Sequence, residues 1–154
     1  MEQETKNYLT REGLKKLEKE LEQLKNIREE KKRDESVVPS SQTIDSEFAT
    51  FQEDLNLLEA RIEEIENILK NYELISSKKK QVVDLGATVV VEVEGQTTEF
   101  TIVGSIEANP DLGKISHMSP VGKALLGTKK GDKIKVQSAV KTTYKVKKII
   151  YKKL

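Results

Sequence analysis

Residues 48–72 read FATFQEDLNLLEARIEEIENILKNY. Their apolar side chains fall at Phe48, Phe51, Leu55, Leu58, Ile62, Ile65, Leu69 and Tyr72, in alternating steps of three and four. That spacing makes a narrow seam, which a helix buries against one partner helix and not against a broad core. The partner lies upstream. Thr10 is a good N-cap, Glu12 places a carboxylate in the first turn, and Leu14, Leu17, Leu21, Leu24 and Ile27 recur at helical spacing. Between the two runs, residues 36–43 combine Pro39 with polar side chains and cannot continue a helix. Asp45 or Ser46 then caps the second helix.

The pattern predicts an antiparallel hairpin of two helices, about 30–40 Å long at about 1.5 Å per residue. Pairing Leu14 with Leu69 sets Ile27 opposite residue 56 or so. Beyond Ile27, residues 28–35 carry no apolar side chain, leaving Val37 and Val38 to cover Phe48 and Phe51. The distal third should therefore be the least well packed part. Periodicity alone leaves two uses open for such a finger. It is a dimerising or spacing coiled coil, or a probe that carries its tip, residues 36–47, into a cavity of a partner.

From Gln81 onward the period shortens to two. Residues 87–93 read as a strand, Glu94-Gly95-Gln96 as a turn, and residues 97–103 as the returning strand. Residues 109–113 (NPDLG) are loop chemistry, and residues 114–117 are short and extended. Ser119 and Pro120 open a helix as N-cap and first helical residue, with Gly127 as its stop. Residues 133–136 and 142–151 pair as a final hairpin. The expected class is α+β: a helical hairpin, then a small antiparallel sheet with one short helix. Residues 76–80 (SSKKK) punctuate the two parts, giving domains 1–77 and 78–154.

Composition narrows the chemistry. The 154 residues contain no Cys, which excludes disulfide frameworks, thiol catalysis and Cys-ligated metals. A single histidine, His117, excludes His-rich zinc sites and argues against a Ser-His-Asp triad; it reads as a packing or surface residue. No apolar run reaches the roughly 18 residues of a membrane span, and residues 1–4 have no signal-peptide character, so a soluble cytoplasmic protein is expected. The net charge of +1 hides a segregation: residues 1–77 sum to −7 and residues 78–154 to +8. Either the helices are simply solvated, or the chain meets a partner with both potentials. Arg28, Lys31, Lys32 and Arg33 alternate with Glu29, Glu30, Asp34 and Glu35, which reads as a solvated face with i,i+4 pairs more simply than as an RNA-phosphate contact. Lys147, Lys148, Lys152, Lys153 and Pro110 read as protection of sheet edges.

Several segments resemble one family. Residues 8–17 (YLTREGLKKL) with 21–25, and residues 59–71 in the second helix, are similar to the N-terminal half of the bacterial Gre transcript cleavage and elongation factors. Residues 86–89, 115–127 (ISHMSPVGKALLG) and 131–136 resemble that family's C-terminal half, and the likeness runs through nearly the whole chain in order. The resemblance implies a coiled coil entering the secondary channel of RNA polymerase and an FKBP-like domain docking at the channel rim. The factor is then no enzyme and has no intrinsic cofactor. Acidic tip residues help hold Mg²⁺ at the polymerase active site, which hydrolyses the 3′ end of backtracked nascent RNA. It also implies a monomer without membrane contact, and polymerase binding near Ser119 and Pro120.

The tip departs from the family pattern, Asp-Leu-x-Glu-Asn before a Glu-aromatic pair. Anchoring that pair on Glu47-Phe48 puts Ser41 at the Asp position, Ile44 at the Glu and Asp45 at the Asn. A hydroxyl is a weak Mg²⁺ ligand and an alkyl side chain is none. Asp45 and Glu47 either substitute as ligands or, more simply, serve the start of the second helix. In the latter case the factor occupies the channel without promoting cleavage. An FKBP-like domain also raises prolyl isomerisation, but Phe100, Tyr144 and Tyr151 are too few to wall a proline pocket. A self-associating coiled-coil adaptor is the third expectation.

Overall fold

The computed structural model describes residues 6–35, 45–76, 78–137 and 141–152, with backbone only at 35, 45 and 46. Packing divides it into two units, Leu14–Asn71 and the residues up to Gly13 taken with those from Tyr72 onward. Composition changes at Ser77, whereas packing changes at the two ends of the helical segment.

The first unit is a pair of long helices, α1 (Arg11–Glu35) and α2 (Asp45–Lys70). Leu17, Leu55, Ile62, Ile65 and Ile68 are buried, Ile65 completely. These are seam positions except Ile68. Burial at the base of α2 takes in Ile68 while Leu69 is only half-buried, and Tyr72 lies beyond the helix altogether. The seam thus widens where Ile65, Ile68 and Leu69 crowd one stretch. Charged side chains bridge the helices. Arg61 donates from Nε and Nη2 to the two carboxylate oxygens of Glu20 at 2.7 and 3.1 Å, and from Nη1 to Glu64 at 2.9 Å. These bonds, that to Glu20 foremost, raise the already high guanidinium pKa. A planar fork on a carboxylate fixes two atoms at once, so it sets register as well as attraction.

The far end is packed differently, as the missing apolar residues of α1 require. Ile27 and Phe48 are 42% and 48% exposed. In their place Lys31 Nζ sits 5.8 Å from the centroid of the Phe51 ring and 4.0 Å from Asp54, and Lys32 lies 3.8 Å from Glu59. Exposed contacts of these kinds contribute about 1 kcal/mol or less each.

The second unit contains two sheets. Strands β1 (Asn7–Leu9) and β2 (Tyr72–Leu74) pair in parallel, Tyr8 opposite Glu73, and Ile75 N–H donates to the Leu9 carbonyl at 2.8 Å. The larger sheet has the order β5-β4-β3-β7-β6, from β3 (Ala87–Val93), β4 (Gln96–Val103), β5 (Lys114–Ser116), β6 (Lys133–Gln137) and β7 (Lys141–Tyr151). It is mixed and not wholly antiparallel, because β5 runs parallel to β4. The intervening residues 104–113 make two 3-10 turns, long enough to carry the chain back for a parallel pairing. The β3–β4 turn is tighter than the three residues expected. Val93 pairs with Gln96, and both Glu94 (φ 50°) and Gly95 (φ 78°) are left-handed, as a two-residue hairpin turn demands. The core joins Val83, Ala87, Val89, Val91, Ile102 and Val146 to Leu125 of α3 (Pro120–Leu125).

Removing a fully buried side chain from the seam costs transfer energy plus a cavity. Ile65→Ala should therefore lower stability by roughly 2–5 kcal/mol. Leu57→Ala, at a residue 65% exposed on the same helix, should stay within about 0.5 kcal/mol. Urea unfolding of the whole chain followed by helical circular dichroism measures both, and equal losses would contradict the seam.

Candidate functional site

The tip is seen only at its edges. Ser41 and Ile44 lie outside the described residues, as does the side chain of Asp45. The described part of α2 runs from Asp45, and the residues ahead of it lie outside the described residues. Glu47 follows, exposed to solvent. Among the described residues, no three His, Cys, Asp or Glu side chains form a group able to hold a metal ion.

The Ser119–Pro120 segment is built as the sequence suggests, but its hydroxyl is taken. Ser119 Oγ accepts from Gly122 N–H at 3.1 Å and donates to the Ser116 carbonyl at 2.7 Å. Pro120 is the first residue of α3 and exposed. Ser119 thus positions Pro120 and the preceding Met118, which is 52% exposed. Ser116 Oγ in turn accepts from Met118 N–H at 3.0 Å and lies 2.8 Å from Ser105 Oγ.

These residues border a cleft of about 380 Å³ lined by Tyr8, Ser105, Ile106, His117 and Met118, with Lys6 and Asn7 at one side. The His117 ring meets Tyr8 edge-on at 5.4 Å, and its backbone N–H donates to Val103 at 2.9 Å. Its Nδ1 is buried with no hydrogen-bond partner among the described residues. His117 is therefore a packing residue in the wall of a cleft. Lys6 donates to Glu73 at 3.1 Å, which raises the lysine pKa. The segment 115–120 was visible in the sequence; Tyr8 and Ile106 were not, because nothing local signals that β1 packs beside residues a hundred positions away.

Below the cleft the start of α1 is held by a carboxylate. Glu107 accepts from Thr10 N–H at 2.7 Å and from Thr10 Oγ1 at 2.6 Å, while Thr10 Oγ1 accepts from Gly13 N–H at 3.0 Å. A Cβ on Gly13 would stand 2.2 Å from Glu107 Oε1, so only glycine admits this approach. The N-cap foreseen at Thr10 is real, but half its bonding comes from a residue that sequence reasoning passed over.

Family models match both parts of the chain. The family described as "Transcription elongation factor, N-terminal" matches residues 7–74, and "Transcription elongation factor, GreA/GreB, C-term" matches residues 78–151. The transcription elongation factor GreA of Clostridium acetobutylicum is 43% identical over 143 residues, covering 88% of this chain and 90% of that protein. The GreA of Lachnoclostridium phytofermentans is 43% identical over 141 residues, covering 87% and 88%. Among solved structures, GreA factor homolog 1 (Gfh1) of Thermus thermophilus is 30% identical and covers 94% of this chain and 99% of its own, with a TM-score of 0.45.

Glu107→Ala strands the Thr10 N–H and hydroxyl, each unpaired buried donor costing about 1–3 kcal/mol. Gly13→Ala should destabilise by pushing the same carboxylate away. Because both act on one contact, the double variant should lose less than the sum of the singles, measured as thermal midpoints. Strict additivity would separate Gly13 from Glu107.

Proposed function

The chain belongs to the GreA/GreB transcription elongation factor family, and we propose that it acts on RNA polymerase as a monomeric accessory factor in transcription elongation. The hairpin enters the secondary channel and the globular unit docks at the channel rim. The observation that carries this reading is the helix pair itself: two helices of 25 and 26 residues bridged by Arg61 and Glu20 in a chain matched by both family halves. Two helices side by side are about 20 Å across, a body suited to a channel.

Docking falls to the surface beside the cleft. Pro120 and Met118 are exposed there and Ser119 positions them, so the family's binding segment acts through apolar contact with Ser119 as its support. At the tip, hydrolysis of RNA by the polymerase calls for oxygen ligands to a second Mg²⁺ and an oriented water. Asp45 and Glu47, at the described start of α2, are the chain's candidates to supply them. A second reading is favoured by Ser41 and Ile44, which stand where the family carries its carboxylates. In that reading the finger occupies the channel, promotes no cleavage and slows RNA extension. Among the described residues, no helix is long and apolar enough to cross a membrane, in keeping with a cytoplasmic site of action.

Purified protein added to stalled, backtracked polymerase with Mg²⁺ decides between the two. Trimming of the RNA 3′ end that disappears in Asp45→Ala with Glu47→Ala supports the substitute ligands, and trimming that survives both changes refutes them. No trimming, with slower extension, supports occlusion. Met118→Ala with Pro120→Ala should weaken polymerase binding by about tenfold, as loss of roughly 1.4 kcal/mol of apolar contact implies. Unchanged affinity would move the docking surface elsewhere.

A further inference from the structure

Sulfur is scarce in this chain. It has no Cys and two Met, of which Met1 lies outside the described residues and Met118 is 52% exposed. Two-electron oxidants act on protein sulfur. With no thiol in the chain to intercept them, the exposed thioether of Met118 is their target among the described residues.

The backbone around Met118 is held firmly while its side chain is left out in water. Residues 116–119 form a four-residue turn, closed by the Ser119 N–H donating to the Ser116 carbonyl at 3.0 Å. His117 and Met118 are its central pair, and they are used oppositely. His117 packs edge-on against Tyr8 with ring centroids 5.4 Å apart, and its Nδ1 is buried. Met118 is held through its N–H, which donates to Ser116 Oγ at 3.0 Å. Its side chain stands at the edge of the cleft that Tyr8 and Ile106 also line. The buried cluster around Val89, Ile102 and Leu125 is built without it, so a change at the sulfur leaves the core packing intact.

We infer that Met118 is an oxidation site through which hydrogen peroxide controls docking to the polymerase. The inference rests on the docking reading above. The thioether sulfur attacks one peroxide oxygen, the O–O bond breaks and an S–O bond forms. The departing hydroxide takes the proton of the transferred hydroxyl and leaves as water. Sulfur is oxidised by two electrons and the peroxide is reduced by two. A flexible apolar side chain thereby becomes a strongly polar sulfoxide. Water solvates the new oxygen in the free protein. Docking strips that water, and an apolar contact offers no donor in its place. Methionine sulfoxide reductases reverse the change, so docking is restored without new synthesis.

The test treats the full chain with hydrogen peroxide, removes the excess with catalase, and only then adds polymerase. Peptide mass spectrometry should find Met118 oxidised within about threefold of its rate in the urea-unfolded chain, as its exposure requires. Affinity for the polymerase should fall about tenfold and recover after reductases for both sulfoxide epimers are added. The thermal midpoint should not move, which separates a local change from unfolding. Met118→Leu, whatever affinity it starts from, should show no change on peroxide treatment, which assigns the effect to this sulfur and not to Met1. Protection of Met118 from peroxide, unchanged affinity after full conversion, a fallen midpoint, or a loss that persists in Met118→Leu would each overturn the inference. Failure of the docking reading looks different: the untreated chain then has no affinity for the polymerase, and the inference falls with it.

Discussion

The grip of Glu107 on Thr10 determines how the first turn of α1 is held. The first N–H groups of a helix have no partner within it, and a helix start left unsatisfied frays. Here Thr10 Oγ1 receives one of them, and Glu107, 97 positions away, holds Thr10 by both its N–H and its hydroxyl. The other end of the excursion is tied nearby, because β2 pairs with β1 and Ile75 bonds to Leu9. Parallel strands need a long crossover connection. In this chain the crossover is the helix pair itself, which goes out as α1 and returns as α2. The paired strands and the carboxylate clamp thus hold the two chain ends that flank the helical segment, and Gly13 is the residue that gives the clamp room.

Within the hairpin, two kinds of force divide the length. Near the base, Leu17, Ile62, Ile65 and Ile68 are removed from water, at roughly 25 cal/mol per Å² of apolar surface. Toward the tip, charge and a lysine over a ring replace that burial, and each such contact contributes far less. The gradient follows from the sequence of α1, which has no apolar residue after Ile27. The exchange is incomplete, since Ile27 and Phe48 stay 42% and 48% exposed at that end.

How much of this could be read from the sequence depended on whether the signal was local. The seam at Leu55, Ile62 and Ile65, the strand Ala87–Val93, and the Ser119–Pro120 helix start all rest on near neighbours, and all are found where the pattern puts them. What the pattern missed depends on distant partners. Three-residue strands such as β1 and β2 are too short to show a period, and their pairing joins residues 65 apart. Glu107 looks like any loop carboxylate until the fold sets Thr10 beside it. The same holds for the site: Pro120 and Met118 were legible as a segment, but not that the Ser119 hydroxyl is used up in holding them, nor that Tyr8 completes the wall. At the tip the departure at Ser41 and Ile44 is legible only against the family pattern, because neither residue carries a periodicity that physics alone would flag.

The segregation of charge has a similar explanation in terms of which charges have partners. In the acidic half, Arg61, Lys25, Lys31 and Lys32 lie against Glu20, Glu66, Asp54 and Glu59, so these cations stitch one helix to the other. In the basic half the acids are too few to do this. Lys147 and Lys152 find Glu92 and Glu99, and Lys80 finds Asp84, whose pKa is held down chiefly by that hydrogen bond. Seven acids among 15 lysines leave this half basic, and strand register sets Lys133 and Lys135 on the edge strand β6 and Lys145 opposite Glu92. Unpaired surface charge contributes little to stability, and repulsion between neighbours subtracts from it.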